Sequence, residues 1–202
     1  VITLEVTSMN DGNDTISGIA PPDAWLDANA GDGVVGANRR VQADSSGSFT
    51  IDLGNPGAES WEQDVLDLRP GVGGFVQVFD YDADSTHNSW HIADPRFGVD
   101  VGLEELWASD WPIGATRDFE GFAPGDLVNP VWSDSTTVVD TPWGQTEAGY
   151  RFWGDFDVHG GQVIVITDGA TTRELIVSTL EVTNVDPDND TYTGIVDPAV
   201  DY

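Results

Sequence analysis

The chain has 202 residues, 39% of them hydrophobic and including eight Trp and eight Phe, which is enough for one large core or two of about 100 residues each and is not the make-up of a disordered acidic tail. Its 36 Asp and Glu face seven Arg and no Lys, a formal charge of −29, so phosphate backbones and anionic lipid are repelled and nucleic-acid and membrane-surface binding are disfavoured. Cysteine is absent and no apolar run approaches the length of a membrane span, so neither disulfide staples nor direct membrane insertion is expected.

Missing Lys also removes Lys–Asn isopeptide cross-links, leaving core burial and bound cations as sources of stability. A saline habitat and a calcium-rich exterior both fit the excess of carboxylate. With Val1 rather than Met at its start, the chain is expected to be a mature or excised piece without its targeting segment.

Taken in order, the elements read as β throughout. Val1 to Thr7 alternates, with Ile2, Leu4 and Val6 on one face. Asn10-Asp11-Gly12-Asn13 is hairpin-turn chemistry, because Asn and Gly tolerate positive φ, and Thr15 to Ala20 returns as a second strand ending at Pro21-Pro22. Ala24 to Asn29 reads as a third strand, and a Gly-rich connection leads into Arg39 to Ala43. After the turn Asp44-Ser45-Ser46-Gly47, Ser48 to Leu53 alternates strictly. Residues 54–64 form a polar loop expected to hold Trp61 against the core, Leu66 to Gly71 ends a strand or edge, and Phe75 to Tyr81 with Ser89 to Ile92 closes the module. Seven or eight short strands with turn signals every 8–12 residues predict an antiparallel sandwich.

The scheme then recurs in looser form. Phe97-Gly98-Val99 stands where Leu4-Glu5-Val6 stood, Trp111-Pro112 marks the matching strand end, and Phe156 to Gly161 followed by Val163 to Asp168 mirrors Leu66 to Gly71 followed by Phe75 to Asp80. A third beginning is nearly verbatim: Leu180-Glu181-Val182-Thr183, Asn189-Asp190-Thr191, Gly194-Ile195 and Pro198 repeat Leu4-Glu5-Val6-Thr7, Asn13-Asp14-Thr15, Gly18-Ile19 and Pro22 at an ungapped offset of 176. The expected fold is all-β: two tandem immunoglobulin-like antiparallel β-sandwiches, residues 1–96 and 97–179, plus the first two strands of a further module, 180–202, which is a partial third module or a strand-exchange hairpin. No Gly/Ser- or Pro-rich spacer separates them, so short, fairly stiff joints are expected.

Gly18-Ile19-Ala20-Pro21-Pro22, Ala43 to Phe49 and Asp67-Leu68-Arg69-Pro70-Gly71 resemble tandem immunoglobulin-like repeats of large secreted and cell-surface prokaryotic proteins. That resemblance covers nearly the whole chain and rests on turn and strand punctuation. It implies an extracellular or cell-surface structural role and carries over no catalytic residue.

Asp80, Asp82 and Asp84 place carboxylates at every second position after a strand, a pattern that can give a hard cation such as Ca²⁺ several of its six to eight oxygens; the alternative is a solvated hairpin tip. The run is no EF-hand, since Ser85 stands at the turn Gly and His91 at the bidentate Glu. Asp186, Asp188 and Asp190 form a thinner version of the cluster. Asn13 and Asn189 head Asn-Asp-Thr glycosylation sequons at equivalent repeat positions, where ordinary turn chemistry explains them equally well.

Gly31-Asp32-Gly33-Val34-Val35-Gly36 matches GxGxxG, but no helix or βαβ unit follows, and a flexible loop is expected. His87 and His91 lie in loop then strand, where their spacing separates them by about 13 Å; His159 is alone. With no GxSxG, P-loop or HExxH, and carboxylate pairs everywhere, nothing marks an enzyme. Five Trp fall in the second module (Trp107, Trp111, Trp132, Trp143 and Trp153), and Trp107 and Trp111 are expected to share a strand face. Buried, these rings are sandwich core; exposed, they are a sugar-stacking platform. The function expected is therefore a structural or interaction module of a stalk, adhesin, surface layer or filament. Its partners would be neighbouring copies or adjacent repeats, joined head-to-tail by strand addition. The alternative is a carbohydrate-binding or enzyme-accessory module using the second module's Trp residues.

Overall fold

A computed structural model describes residues 3–140, 146–152 and 155–196, without the side chains of 140, 146–151 and 180. These residues are all-β and antiparallel, as the alternation predicts, and contain no helix, hence none long and apolar enough to cross a membrane. The chain divides into unit 1, Val1–Asp94, and unit 2, Pro95–Tyr202.

In unit 1 the strands are β1 (Glu5–Asn10), β2 (Thr15–Ile19), β3 (Trp25–Gly31), β4 (Gly36–Gln42), β5 (Ser48–Asp52), β6 (Gly73–Phe79) and β7 (Ser85–His91). They form a three-stranded sheet β1-β2-β5 and a four-stranded sheet β4-β3-β6-β7, the immunoglobulin-like arrangement. Alternation decides the faces. Leu26, Ala28 and Ala30 of β3, Val76 and Val78 of β6, and Phe49 and Ile51 of β5 point inward and are buried together with Ile16 and Trp90. The small residues Ala28, Ala30 and Gly18 let large neighbours fill the space between sheets. At Gly18 a Cβ would stand 2.6 Å from the tip of the Phe49 ring, so glycine there is the seat for that ring.

Unit 2 repeats the plan with β8 (Arg96–Asp100), β9 (Glu105–Ser109), β10 (Thr116–Phe122), β11 (Pro130–Thr137), β12 (Val139–Asp140), β13 (Thr146–Arg151), β14 (Val163–Thr167) and β15 (Thr172–Ile176). Its sheets are β12-β13-β9-β8 and β11-β10-β14-β15. Phe119, Phe152, Phe156 and Trp132 form an aromatic cluster with centroids 5.1–6.4 Å apart in stacked and edge-on pairs. The predicted mirror of Leu66–Gly71 and Phe156–Gly161 holds in detail. Leu66, Leu68, Phe156 and Val158 are all buried, and Gly71 and Gly161 take φ of 89° and 86°. Their N–H groups donate to Ile92 and Val177 at 2.9 and 2.8 Å. The leading residues of each segment lie outside any strand.

The remaining strands, β16 (Leu180–Asp186) and β17 (Thr191–Val196), make a two-stranded sheet by themselves. The hairpin β16–β17 copies β1–β2. Val6 and Val182 face Gly18 and Gly194, the same register shift follows each valine, and Asp14 and Asp190 take φ of 55° and 52°.

Two expectations change. The GxGxxG stretch is no flexible loop: Gly31 pairs with Gly36 across a tight hairpin loop. There the Asp32 Oδ1 accepts the Val34 and Val35 N–H groups at 2.9 Å, and the Arg69 guanidinium closes on its other oxygen at 2.5 Å. Trp61 is not held against the core. It is half exposed, and its neighbour Glu62 is the buried residue of that loop.

Candidate functional site

Asp80, Asp82 and Asp84 lie at the tip of the β6–β7 hairpin. One carboxylate oxygen of each is within 4.8 Å of the other two, all exposed. Ala83 at φ 71° curls the turn, and Asp80 Oδ1 accepts the N–H groups of Asp82 and Asp84 at 3.3 and 3.1 Å. A hydrogen bond with the Asp82 carboxyl, and then these N–H groups, hold Asp80 below the ordinary aspartate range. Three carboxyl oxygens from one tip fit part of a hard-cation shell, a cation there taking the place of the proton between Asp80 and Asp82, with water needed for the rest.

The second aspartate run is arranged differently. Asp186 Oδ1 accepts the N–H groups of Asp188 and Asn189 at 3.0 and 3.2 Å, while Oδ2 accepts the Asn189 amide at 2.8 Å. No three-residue acidic group forms from Asp186, Asp188 and Asp190 among the described residues. The same Asp-x-x-Asn bracket occurs at Asp126–Asn129 and Asp52–Asn55. An Asn three residues after the Asp is the sequence signal for that turn. Both sequon asparagines are exposed; Asn13 Oδ1 accepts the Thr15 hydroxyl at 2.7 Å, whereas the Asn189 amide nitrogen is engaged by Asp186.

Trp107 and Trp111 do not share a strand face as expected. Along β9, Leu106 and Ala108 point inward, so Trp107 points out. Trp111 lies past the strand end, is buried, and donates its indole N–H to the Arg96 carbonyl at 3.1 Å. Trp107 and Trp111 thus sit on opposite sides of the sheet. Trp132 joins the aromatic core; Trp143 and Trp153 lie outside the described residues. His87 and His91 both project outward from β7.

The arrangement with the clearest consequence is the thrice-used hairpin. In unit 1, β5 pairs along the outer edge of β2, and the Leu53 N–H then donates to the Asp14 carbonyl at 2.8 Å. In unit 2, β13 pairs along β9, and the Phe152 N–H donates to the carbonyl of Glu104, which also has positive φ, at 3.0 Å. The Asp14 carboxylate accepts the Leu68 N–H at 2.8 Å as well. At β16–β17 the hairpin is built the same way, yet no strand pairs along either edge among the described residues, and Val182, Val185, Tyr192 and Ile195 are exposed on it.

No protein-family model and no curated protein matches the chain. Among solved structures it is similar to a tetra-tandem repeat from the extending region of a large adhesion protein, at 15% identity and a TM-score of 0.27, covering 90% of this chain and 52% of that one. It is also similar to the Group B Streptococcus pullulanase SAP, at 10% identity and a TM-score of 0.31, covering 95% of this chain and 26% of that one. The chain thus spans about half the length of the first and about a quarter of the second. What the chain itself displays is a β-rich, repeat-like module whose opening hairpin occurs three times.

Proposed function

We propose that this chain is a structural segment of an extracellular or cell-surface tandem-repeat protein, working as a spacer in a stalk, adhesin, surface layer or filament. Its modules are joined to neighbouring repeats by strand addition at β17. The observation that carries this reading is the third hairpin: it keeps the bulge, the left-handed aspartate and the close-approach glycine of β1–β2, and in β1–β2 that aspartate's carbonyl and that glycine meet the β5 segment. Unpaired strand edges are costly and prone to pairing, so a hairpin prepared in this detail calls for a cover. The position of fully buried Ile16 is taken by Tyr192, and that of Leu106 lies equally deep in unit 2. A core that receives Tyr192 must therefore have more room and a partner for its hydroxyl than either unit offers. The Asp80–Asp82–Asp84 tip adds a weak, solvent-facing calcium site to this reading, and Asn13 and Asn189 add two glycan positions.

Amide hydrogen exchange on the monomeric chain tests the reading. The N–H groups of Thr191–Val196 should exchange as in an unstructured peptide while those of β2 are protected, because only β2 is covered. A monomer, established by light scattering, with β17 protected like β2 refutes the need for a neighbouring repeat.

A further inference from the structure

We infer that unit 1 carries a second, independent function: the outer face of β4-β3-β6, together with the loop 54–64, is a binding groove for a neutral oligosaccharide. Two adjoining hollows of about 470 and about 670 Å³ share Trp61 and Arg40. Trp25 lines one and Phe75 the other, so aromatic rings flank a continuous depression. Trp25 is 59% and Trp61 46% exposed, although the same unit buries Trp90 to 8%. The exposed part of each indole gains no burial on folding and offers a flat apolar face on which the C–H side of a sugar ring can lie.

The floor is polar and already ordered. Cross-strand pairing sets Asp27 beside Arg40 and Asn29 beside Asn38. The Arg40 guanidinium donates to both Asp27 oxygens at 2.6 and 2.9 Å, and the Asn29 amide donates to Asn38 at 3.0 Å. Such a floor presents donors and acceptors together. A hydroxyl-rich ligand matches both, whereas a proline-rich segment would leave the acceptors unmatched.

The loop is held in place at a cost that its own packing does not explain. Glu62, 2% exposed, accepts the Arg40 N–H at 2.5 Å and the Glu59 N–H at 2.9 Å. Buried Arg39 donates to the carbonyls of Asp52, Leu53 and Asn55. Two buried ionised side chains fix a loop whose exposed product is Trp61, standing beside Arg40 with the guanidinium 5.8 Å from its ring centroid. Preorganising a contact surface in this way lowers the entropy lost on binding. Charge sets the ligand's class: Arg40 is already neutralised by Asp27, and Glu59 and Glu62 flank it on a molecule of charge −29, so an acidic sugar is disfavoured.

The test titrates the full chain with cellotriose, maltotriose and mannotriose, following tryptophan fluorescence and heat. Trigalacturonate, choline and a decaproline peptide serve as competitors for the assignment. At least one neutral trisaccharide should saturate with a Kd near or below about 1 mM. Trp61→Ala should weaken it at least about tenfold and Trp25→Ala severalfold, while Trp107→Ala, outside the groove, should leave it unchanged. Both groove tryptophans are exposed, so equal melting temperatures will certify the variants as folded. Four results overturn the inference: no neutral trisaccharide bound at about 20 mM, binding indifferent to Trp61→Ala, preference for trigalacturonate, or saturation by decaproline or choline instead. None of these bears on strand addition at β17.

Discussion

Replacing Glu62 by Gln isolates the anchor of the Trp61 loop. Burial by itself raises the pKa of this carboxyl. The N–H groups of Glu59 and Arg40, the nearby Arg39 charge and the Ala58 N–H outweigh burial and hold it below the ordinary glutamate range. Each bond to a buried carboxylate is worth about 1.5–3 kcal/mol. Gln keeps one carbonyl acceptor but turns an NH₂ toward the other N–H, so one bond is lost and one donor is left facing a donor. The expected cost is about 2–3 kcal/mol, a sizeable part of the roughly 5–14 kcal/mol available to a unit of this size. In calorimetry the unit 1 transition should fall by about 8–24 °C, since each kcal/mol moves such a domain by about 4–8 °C. The pH dependence has a fixed sign. With the folded pKa lowered, the carboxylate's contribution is present above the unfolded value of about 4.3 and is lost as pH falls through the folded one. Glu62→Gln should remove that acid-range loss. A shift smaller than about 2 °C would refute the assignment of Glu62 as the anchor.

Arg117 is fully buried in unit 2 between Trp111 and Phe119, its guanidinium 5.6 and 6.0 Å from their centroids, and none of its three side-chain nitrogens has a hydrogen-bond partner among the described residues. Burial pushes its pKa down and the Asp168 charge opposes this; Arg117→Met should stabilise unit 2 by about 1–3 kcal/mol in urea unfolding, and destabilisation would contradict the desolvation argument. Asp32 is lowered from 3.8 to about 2, first by the Val35 and Val34 N–H groups and then by Arg69. Its carboxyl carbon should titrate near that value by NMR, with the contribution lost only as pH falls from about 4 toward 2; a midpoint near 3.8 would show the loop clasp to be open. Millimolar calcium should raise the unit 1 melting temperature by mass action, and a chelator or Asp82→Asn with Asp84→Asn should cancel the rise. No response to calcium removes the metal from the proposal.

Strand positions and inward faces were legible wherever residues alternate, as in Ser48–Leu53, and the 176-residue offset already marked the third hairpin. Features set by tertiary geometry were not. That Glu62 rather than Trp61 turns inward depends on where the Arg40 N–H lies across the sheet edge, a separation of 22 residues without periodicity. Trp107 and Trp111 lie four apart, but the strand stops between them, so a shared face could not be read from spacing. The Asp186 run resembled a cation loop because carboxylates were counted without the Asn that brackets the turn. The groove on unit 1 was missed because its Trp, Asp, Asn and Arg come from two strands and a loop that only register brings together.

The most direct test of strand addition is to supply the missing cover. Residues 1–195 continued into residues 20–94 place unit 1's own β3–β7 behind the third hairpin, with Ile195 standing for Ile19. Tyr192→Ile fits its side chain to that core. Amide exchange across Thr191–Ile195 should slow from peptide-like to the level of β2, with a third cooperative transition on heating, and restoring Tyr192 should weaken that transition. If the same extension folds behind β1–β2's own sequence but leaves Thr191–Ile195 unprotected behind β16–β17, the hairpin is not the opening of a repeat.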